Sequence, residues 1–261
     1  MATSSLMLHC GAREVTRDQL DAISANTPPA TRTFVPVSHS VALDTVVRTM
    51  ADSGFAARSI KIGVARGGHR LFATVDTVCR LGGDEVTLAV AVVNSTDKSL
   101  PMKMIAGAHI FCCDNLSLRS DMMAPIRKKH TRFGLDRFRE SVGLAVRQLD
   151  SFQEAETRRI KRFKEAEVTD VTAESVLLRA FDRGILSHRL LPTAIAEWRE
   201  PSYEDFLPRT LWSLENALTT TLGPVRASNP TRFCALSLSL QSLLASVAGL
   251  DAVEAPLALP A

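Results

Sequence analysis

Cationic side chains crowd one short stretch of the chain, Arg127, Lys128, Lys129, His130 and Arg132, with Arg119 upstream and Phe133 directly after. At that density Lys and Arg neutralise phosphates with release of counterions, and an aromatic ring beside them gives an unpaired base a surface to stack on, worth about 1–3 kcal/mol per base. Arg58, Lys61, Arg66, His69 and Arg70 would extend the same chemistry, Lys98 and Lys103 would line the space between, and Phe72 is the next stacking candidate after Phe133. The ordinary alternative is a solvated charged face, and for each phenylalanine a place in the core.

Other chemistries find less support. His109, Cys112, Cys113, Asp114 and Asp121 include metal-ligand types, but adjacent cysteines on a strand point to opposite faces, and neither Cys-Xaa-Xaa-Cys nor His-Glu-Xaa-Xaa-His occurs. Asp97, Asp114 and Asp121 would suit a Mg²⁺-dependent nuclease if they converged. Asn94 and Asp97 have a simpler reading as loop formers whose side chains bond nearby amides, and Asp114-Asn115 as a turn or cap pair. No Gly-Xaa-Ser-Xaa-Gly is present, and Cys79, Cys112, Cys113 and Cys234 carry no nucleophile signature. Ala65-Arg66-Gly67-Gly68 lacks the Gly-Lys-Ser/Thr ending of a phosphate loop and reads as a turn presenting Arg66 and His69. The functional centre is therefore expected between Asn94 and Arg132, binding a partner without covalent chemistry, cofactor or metal.

These residues need a sheet to hold them. Ile60, Ile62 and Val64 alternate with polar or small positions, Gly67-Gly68 turns the chain, and Arg70 to Val78 returns it as a hairpin. A turn at Gly82-Gly83-Asp84 leads into Val86 to Val93, apolar enough for a central strand, and Met104 to Cys113 follows as another. Before the sheet, Thr16 to Ile23 reads as a short helix, Thr27-Pro28-Pro29 stops it, and Phe34-Val35-Pro36-Val37 is an extended arm. Ser38 then caps a helix that buries Val41, Val46, Val47 and Met50 and ends at Gly54.

Beyond Arg132 the period becomes helical. Phe138, Val142, Ala145, Leu149, Phe152, Ile160 and Phe163 predict one long helix from about Leu135 to Val168. Helices are also expected at Ala173 to Asp182, closed by Gly184, and at Ser187 to Trp198, Leu207 to Thr221 and Thr231 to Val247. The expected fold class is α+β: an antiparallel or mixed sheet region over 15–132 with flanking helices and a helical region over 133–249 packing on it, read as parts of one composite domain, with flexible ends at 1–14 and 250–261.

Three polar loops stand out against the buried strands: Asn94-Ser95-Thr96-Asp97-Lys98-Ser99, Phe111-Cys112-Cys113-Asp114-Asn115-Leu116, and Arg127-Lys128-Lys129-His130-Thr131. With Thr16-Arg17-Asp18-Gln19-Leu20, Thr27-Pro28-Pro29 and Val35-Pro36-Val37-Ser38-His39, this order resembles the phage and plasmid family known as domain of unknown function 932, over about Val15 to Glu156. The resemblance implies a prophage or mobile-element context and a likeness to phage single-stranded-DNA-binding proteins that serve a phage RNA polymerase. It supplies no catalytic residue.

The rest of the sequence narrows the setting. Net charge is +3, so only local clustering argues for nucleic acid. Five cysteines, an odd number without framework spacing, fit a reducing compartment. Met1 to Cys10 lacks the parts of an export signal, and the apolar tract from Phe233 to Leu250 is interrupted by serines and Gln241. The sequence thus points to a cytoplasmic protein, away from membranes, that binds single-stranded DNA without strong sequence preference, as a monomer or homo-oligomer; the family resemblance implies in addition that it supports phage transcription or replication beside phage RNA polymerase or replication proteins. The alternative is an adaptor or anti-host factor using the helical half as its docking surface.

Overall fold

The computed structural model describes residues 13–81, 86–110, 115–118 and 126–249. The turn expected at Gly82-Gly83-Asp84, the segment Phe111 to Asp114, Arg119 and Asp121 lie outside these residues. So do most of the ends expected to be flexible, although Arg13–Glu14 forms a short strand.

That strand, β1, precedes α1 (Arg17–Ala25) and α2 (His39–Asp52). Five longer or shorter strands follow, β2 (Ala57–Ala65), β3 (Arg70–Arg80), β4 (Val86–Ser95), β5 (Met102–Ile110) and β6 (Asn115–Leu118), and then β7 (Ile126–Lys128). All pairings are antiparallel, in the order β1-β2-β3-β4-β5-β6, so the sheet is not mixed. β7 shares the outer edge of β5 with β6: it pairs with Met102 to Met104, whereas β6 pairs with Gly107 to Ile110. At Gly107 an added Cβ would lie 2.1 Å from the Ser117 carbonyl oxygen, so only glycine permits β6 this approach.

Every residue of β4 is buried, as befits a central strand with continuous apolar sequence. α2 starts where Ser38 accepts the Val41 amide, and it lies against β2, β3 and β4 through Ala42, Leu43, Val46 and Met50. Val41, expected on its buried face, is exposed, and Leu43 fills the core instead.

The helical half contains α3 (Gly134–Val146), α4 (Leu149–Glu165), α5 (Asp170–Asp182), α6 (Leu191–Arg199), α7 (Leu211–Thr221), α8 (Gly223–Ser228) and α9 (Pro230–Val247), with a 3₁₀ turn at Glu204–Phe206. The single helix expected over Leu135 to Val168 is two helices, because the chain breaks at Arg147 and Gln148. α3 packs on α2 and β7 while α4 packs on α7, and the break lets one continuous apolar stripe serve both sets of partners. The helix expected from Leu207 begins later, at Leu211, with the Thr210 hydroxyl accepting the Ser213 amide.

α7 and α9 dock on β6. Against α7, Arg159 of α4 is buried, bidentate to Glu156 at 2.6–3.0 Å and bonded to Glu215 at 2.7 Å. Glu215 also accepts from Ser117 of β6 and Gln241 of α9. Two carboxylates hold the Arg159 guanidinium firmly protonated despite its burial.

Candidate nucleic-acid interface

Three loops and the arm before α2 meet at one end of the sheet. The first loop is the tip of the β2–β3 hairpin, where Arg66, Gly67 and Gly68 take successive positive φ angles of 51°, 63° and 93°. Gly68 donates to Ala65 at 3.2 Å and His69 to Arg66 at 3.1 Å, which closes the tip. The second loop joins β4 to β5. Ser95 Oγ both accepts the Leu100 amide and donates to the Leu100 carbonyl, each at 2.9 Å, and Asp97 accepts the Ser99 amide at 3.0 Å and the Ser99 hydroxyl. That pinch leaves Lys98 at φ 66°. Arg66 and Lys98 are the two non-glycine residues with positive φ among the described residues, and both carry positive charge into the site.

Direct bonds tie these loops together. Thr96 donates its amide to the His69 carbonyl at 2.9 Å, the His69 ring bonds the Thr96 hydroxyl at 3.1 Å, and Arg70 Nε donates to Ser99 at 2.8 Å. Beneath them the Asn94 amide donates to Val37 O at 2.9 Å and to His39 Nδ1 at 3.0 Å, while His39 Nε2 reaches Gly68 O at 2.9 Å. This pattern assigns a neutral His39 with its proton on Nε2, and burial, the dominant cause, keeps its pKa below the ordinary value. The arm, the hairpin tip and the end of β4 are thereby locked to one another.

The third loop follows β7. Thr131 donates to Lys129 at 3.0 Å and Gly134 to Thr131 at 2.8 Å, and an added Cβ on Gly134 would lie 2.3 Å from the Lys129 carbonyl oxygen. Glycine there lets α3 start tight against the basic turn. His130 O accepts the Val35 amide at 3.1 Å, bringing the arm alongside, and the rings of Phe34 and His130 stand 5.4 Å apart at 52°. Lys98 Nζ lies 5.4 Å over the Phe34 ring. A cavity of about 390 Å³ opens here, lined among others by Phe34, Lys98, Leu100, Arg127, Lys129 and His130.

The geometry gathers Arg66, His69, Arg70, Lys98, Arg127, Lys129 and His130, with Lys128 beside them in β7 and Arg132 and Phe133 just beyond. Phe133 is 57% exposed, with the Arg132 guanidinium 5.6 Å over its ring. Arg66 and Arg70 stand 3.9 Å from Asp97, so part of their charge is answered internally. Among the described residues no carboxylate pairs with Lys98, Arg127, Lys129 or Arg132.

Other expected residues fall elsewhere. Arg58 sits at the opposite end of β2, beside the irregular pairing of Ala57 with Thr77, too far along the strand to extend the groove. Lys61 lies mid-strand opposite Thr74, and its charge acts on Asp76. Lys103 is in register with Arg127 and so on the same face of the sheet, and its charge also reaches Cys234 of α9, whose thiol burial pushes up to about 12 against the pull of that lysine. Phe72 is 4% exposed and packs in the core, where no base can reach it.

Phe34 replaces Phe72 as the second ring of the site, and with it come His39 and the buried Asn94 amide. Pro36 signals an extended arm, but nothing local to Phe34 signals its meeting with His130. Away from this end, His109 Nδ1 bonds Asp76 at 2.9 Å, and Ser59 donates to the other Asp76 oxygen at 2.8 Å. Burial would raise the Asp76 pKa, but His109, Ser59 and Lys61 outweigh it and hold the carboxyl below its ordinary value. No three His, Cys, Asp or Glu side chains group as metal ligands among the described residues, and no described helix is long and apolar enough to cross a membrane.

Fold and site together define an antiparallel α+β protein with a cationic sheet end built from three loops and an arm. The chain belongs to the family described as Domain of unknown function (DUF932), whose model matches residues 30–239. The match begins in the arm and ends in α9, so it takes in much of the helical half as well as the segments that carry the resemblance in the sequence. No curated protein and no solved structure matches the chain.

Proposed function

We propose that the protein binds single-stranded DNA, without catalysis, across the end of the sheet formed by the hairpin tip, the β4–β5 loop and the β7–α3 turn. The observation that carries this reading is the convergence of Lys98, Arg127, Lys129 and Arg132, unanswered by carboxylates among the described residues, beside the half-buried ring of Phe34 and the exposed ring of Phe133. Cations at this spacing neutralise successive phosphates while rings stack on unpaired bases, a combination that favours a flexible strand over a rigid duplex. A supporting role in phage transcription or replication in a bacterial cytoplasm, beside phage RNA polymerase or replication proteins, belongs to the same proposal and rests on the family resemblance alone.

Fluorescence anisotropy with labelled oligothymidine tests it. Binding should weaken steeply with salt, and Arg127→Ala/Lys128→Ala/Lys129→Ala should reduce the slope of log K against log salt by about two, since each lost phosphate contact on a single strand removes about 0.7. Addition of Mg²⁺ should leave the strand intact. No binding at low salt, or an unchanged slope in the triple variant, refutes the proposal.

A further inference from the structure

We infer that the cavity lined by Phe34 and His130 is a nucleotide pocket: it takes one unpaired nucleotide, its base against the Phe34 ring and beside the His130 imidazole, its phosphate on Lys98, Arg127 or Lys129. The inference rests on the strand-binding proposal for its ligand class, but it makes a separate claim about what fills the cavity.

The first support is His130 itself. Its side chain is 5% exposed, yet neither ring nitrogen has a hydrogen-bond partner among the described residues. The Leu100 backbone lies near the ring and favours its protonation, but burial, the larger cause, keeps the pKa below the ordinary imidazole value. A neutral imidazole has one N–H donor and one lone pair. Leaving both unmade in a buried position is unfavourable, and since both nitrogens are closed to solvent, a ligand in the cavity that turns the ring toward itself and supplies an acceptor and a donor satisfies it where the protein does not.

The second support is what surrounds the ring. Phe34 provides an aromatic face, Leu100 and Pro101 provide apolar wall, and the cations line it from the β4–β5 loop, from β7 and from the turn after it. At about 390 Å³ the cavity falls within the range of about 300–1,000 Å³ common for small-molecule sites. An inorganic anion would use the cations and leave the ring, the wall and the imidazole idle. A heteroaromatic base with polar edges, joined to a phosphate, uses all of them. The third support is Lys98, whose left-handed backbone carries its ammonium group over Phe34 at the mouth of this cavity.

Two sources can deliver such a ligand: a free nucleoside monophosphate, or one nucleotide of a longer strand. Titrating the wild-type protein with each of the four deoxynucleoside monophosphates and with inorganic phosphate, while following the His130 ring nitrogens by long-range ¹H–¹⁵N spectroscopy, tests the pocket directly. At least one monophosphate should saturate and shift the His130 signals, and inorganic phosphate should not. Phe34→Leu should weaken that binding by about tenfold or more, the loss of roughly one stacked base, with a circular dichroism melt to confirm folding. Oligothymidine anisotropy on the same samples separates the two claims. Strand binding with no monophosphate response at His130 overturns the pocket and leaves the strand proposal standing. A monophosphate response without strand binding keeps the pocket and overturns the strand proposal. An equal response to inorganic phosphate reduces the cavity to an anion site and overturns the nucleotide reading.

Discussion

Lys98 carries a backbone conformation that disfavours a residue with a Cβ by about 1–2 kcal/mol, and a glycine there would avoid that term while giving up about 0.5–1 kcal/mol in unfolded-chain entropy. Lys98→Gly should therefore leave urea stability unchanged or raise it by up to about 1.5 kcal/mol while weakening oligothymidine binding. The same replacement at Lys128, in β7, should lower stability by about 1 kcal/mol, because a strand residue gains nothing from glycine. A destabilised Lys98→Gly would show that the loop is not strained. His39 and His130 make a second claim at this scale. Both have folded-state pKa values below the ordinary 6.5, so the folded chain binds fewer protons than the unfolded one. Stability is full above about pH 6.5 and declines as pH falls from there through the lowered folded-state values. The lowered carboxyls of Asp21, Asp76 and Asp97 act in a lower window, below their ordinary 3.8. Urea midpoints at about pH 7.5 and 5.5 should thus differ, with the lower value at the lower pH; equal midpoints would mean that neither imidazole is held neutral.

At the scale of elements, two glycines of α3 have opposite roles. Gly134 touches the Lys129 carbonyl so closely that Gly134→Ala must push the basic turn away, costing about 1–3 kcal/mol and weakening strand binding as well. Gly143 would meet only the flexible end of Arg147, at 3.8 Å, so Gly143→Ala should stabilise by about 0.5–1 kcal/mol and leave binding alone. Denaturation and anisotropy on the two variants distinguish a positioning glycine from an incidental one. What separates the legible elements from the others is the range of their causes. Ser38 as a cap, the Gly67-Gly68 turn and the apolar run of β4 are local signals, readable within a few residues. The break at Arg147 and Gln148 is invisible because Val142, Ala145, Leu149 and Phe152 continue one stripe through it, and periodicity registers burial without saying against what. The basic turn of the site was legible for the same local reason. Phe34 was not, since its value lies in contact with His130, almost a hundred residues away.

Across the whole molecule, the helical half meets the sheet through a polar junction as well as an apolar one. Arg159 is buried between Glu156 and Glu215, and Glu215 is bonded in turn to β6 through Ser117 and to α9 through Gln241. Such a junction adds little net energy over an apolar one, because removing these charges from water offsets most of their attraction. Its loss is nevertheless severe, since Arg159→Met would leave two carboxylates facing each other without a cation. The expected cost is about 3–5 kcal/mol at neutral pH, measured by urea unfolding. Its pH dependence carries the proof of mechanism. In the variant one carboxyl should hold its proton more tightly when folded than when unfolded, so protonation favours the folded state, and the deficit relative to wild type should narrow as pH falls from about 7 to 5. A simple packing defect would give a deficit that does not respond to pH. Oligothymidine binding by the folded fraction should stay near wild type, because the junction lies on β6 and the helices, apart from the loops that gather Lys98, Arg127 and Lys129.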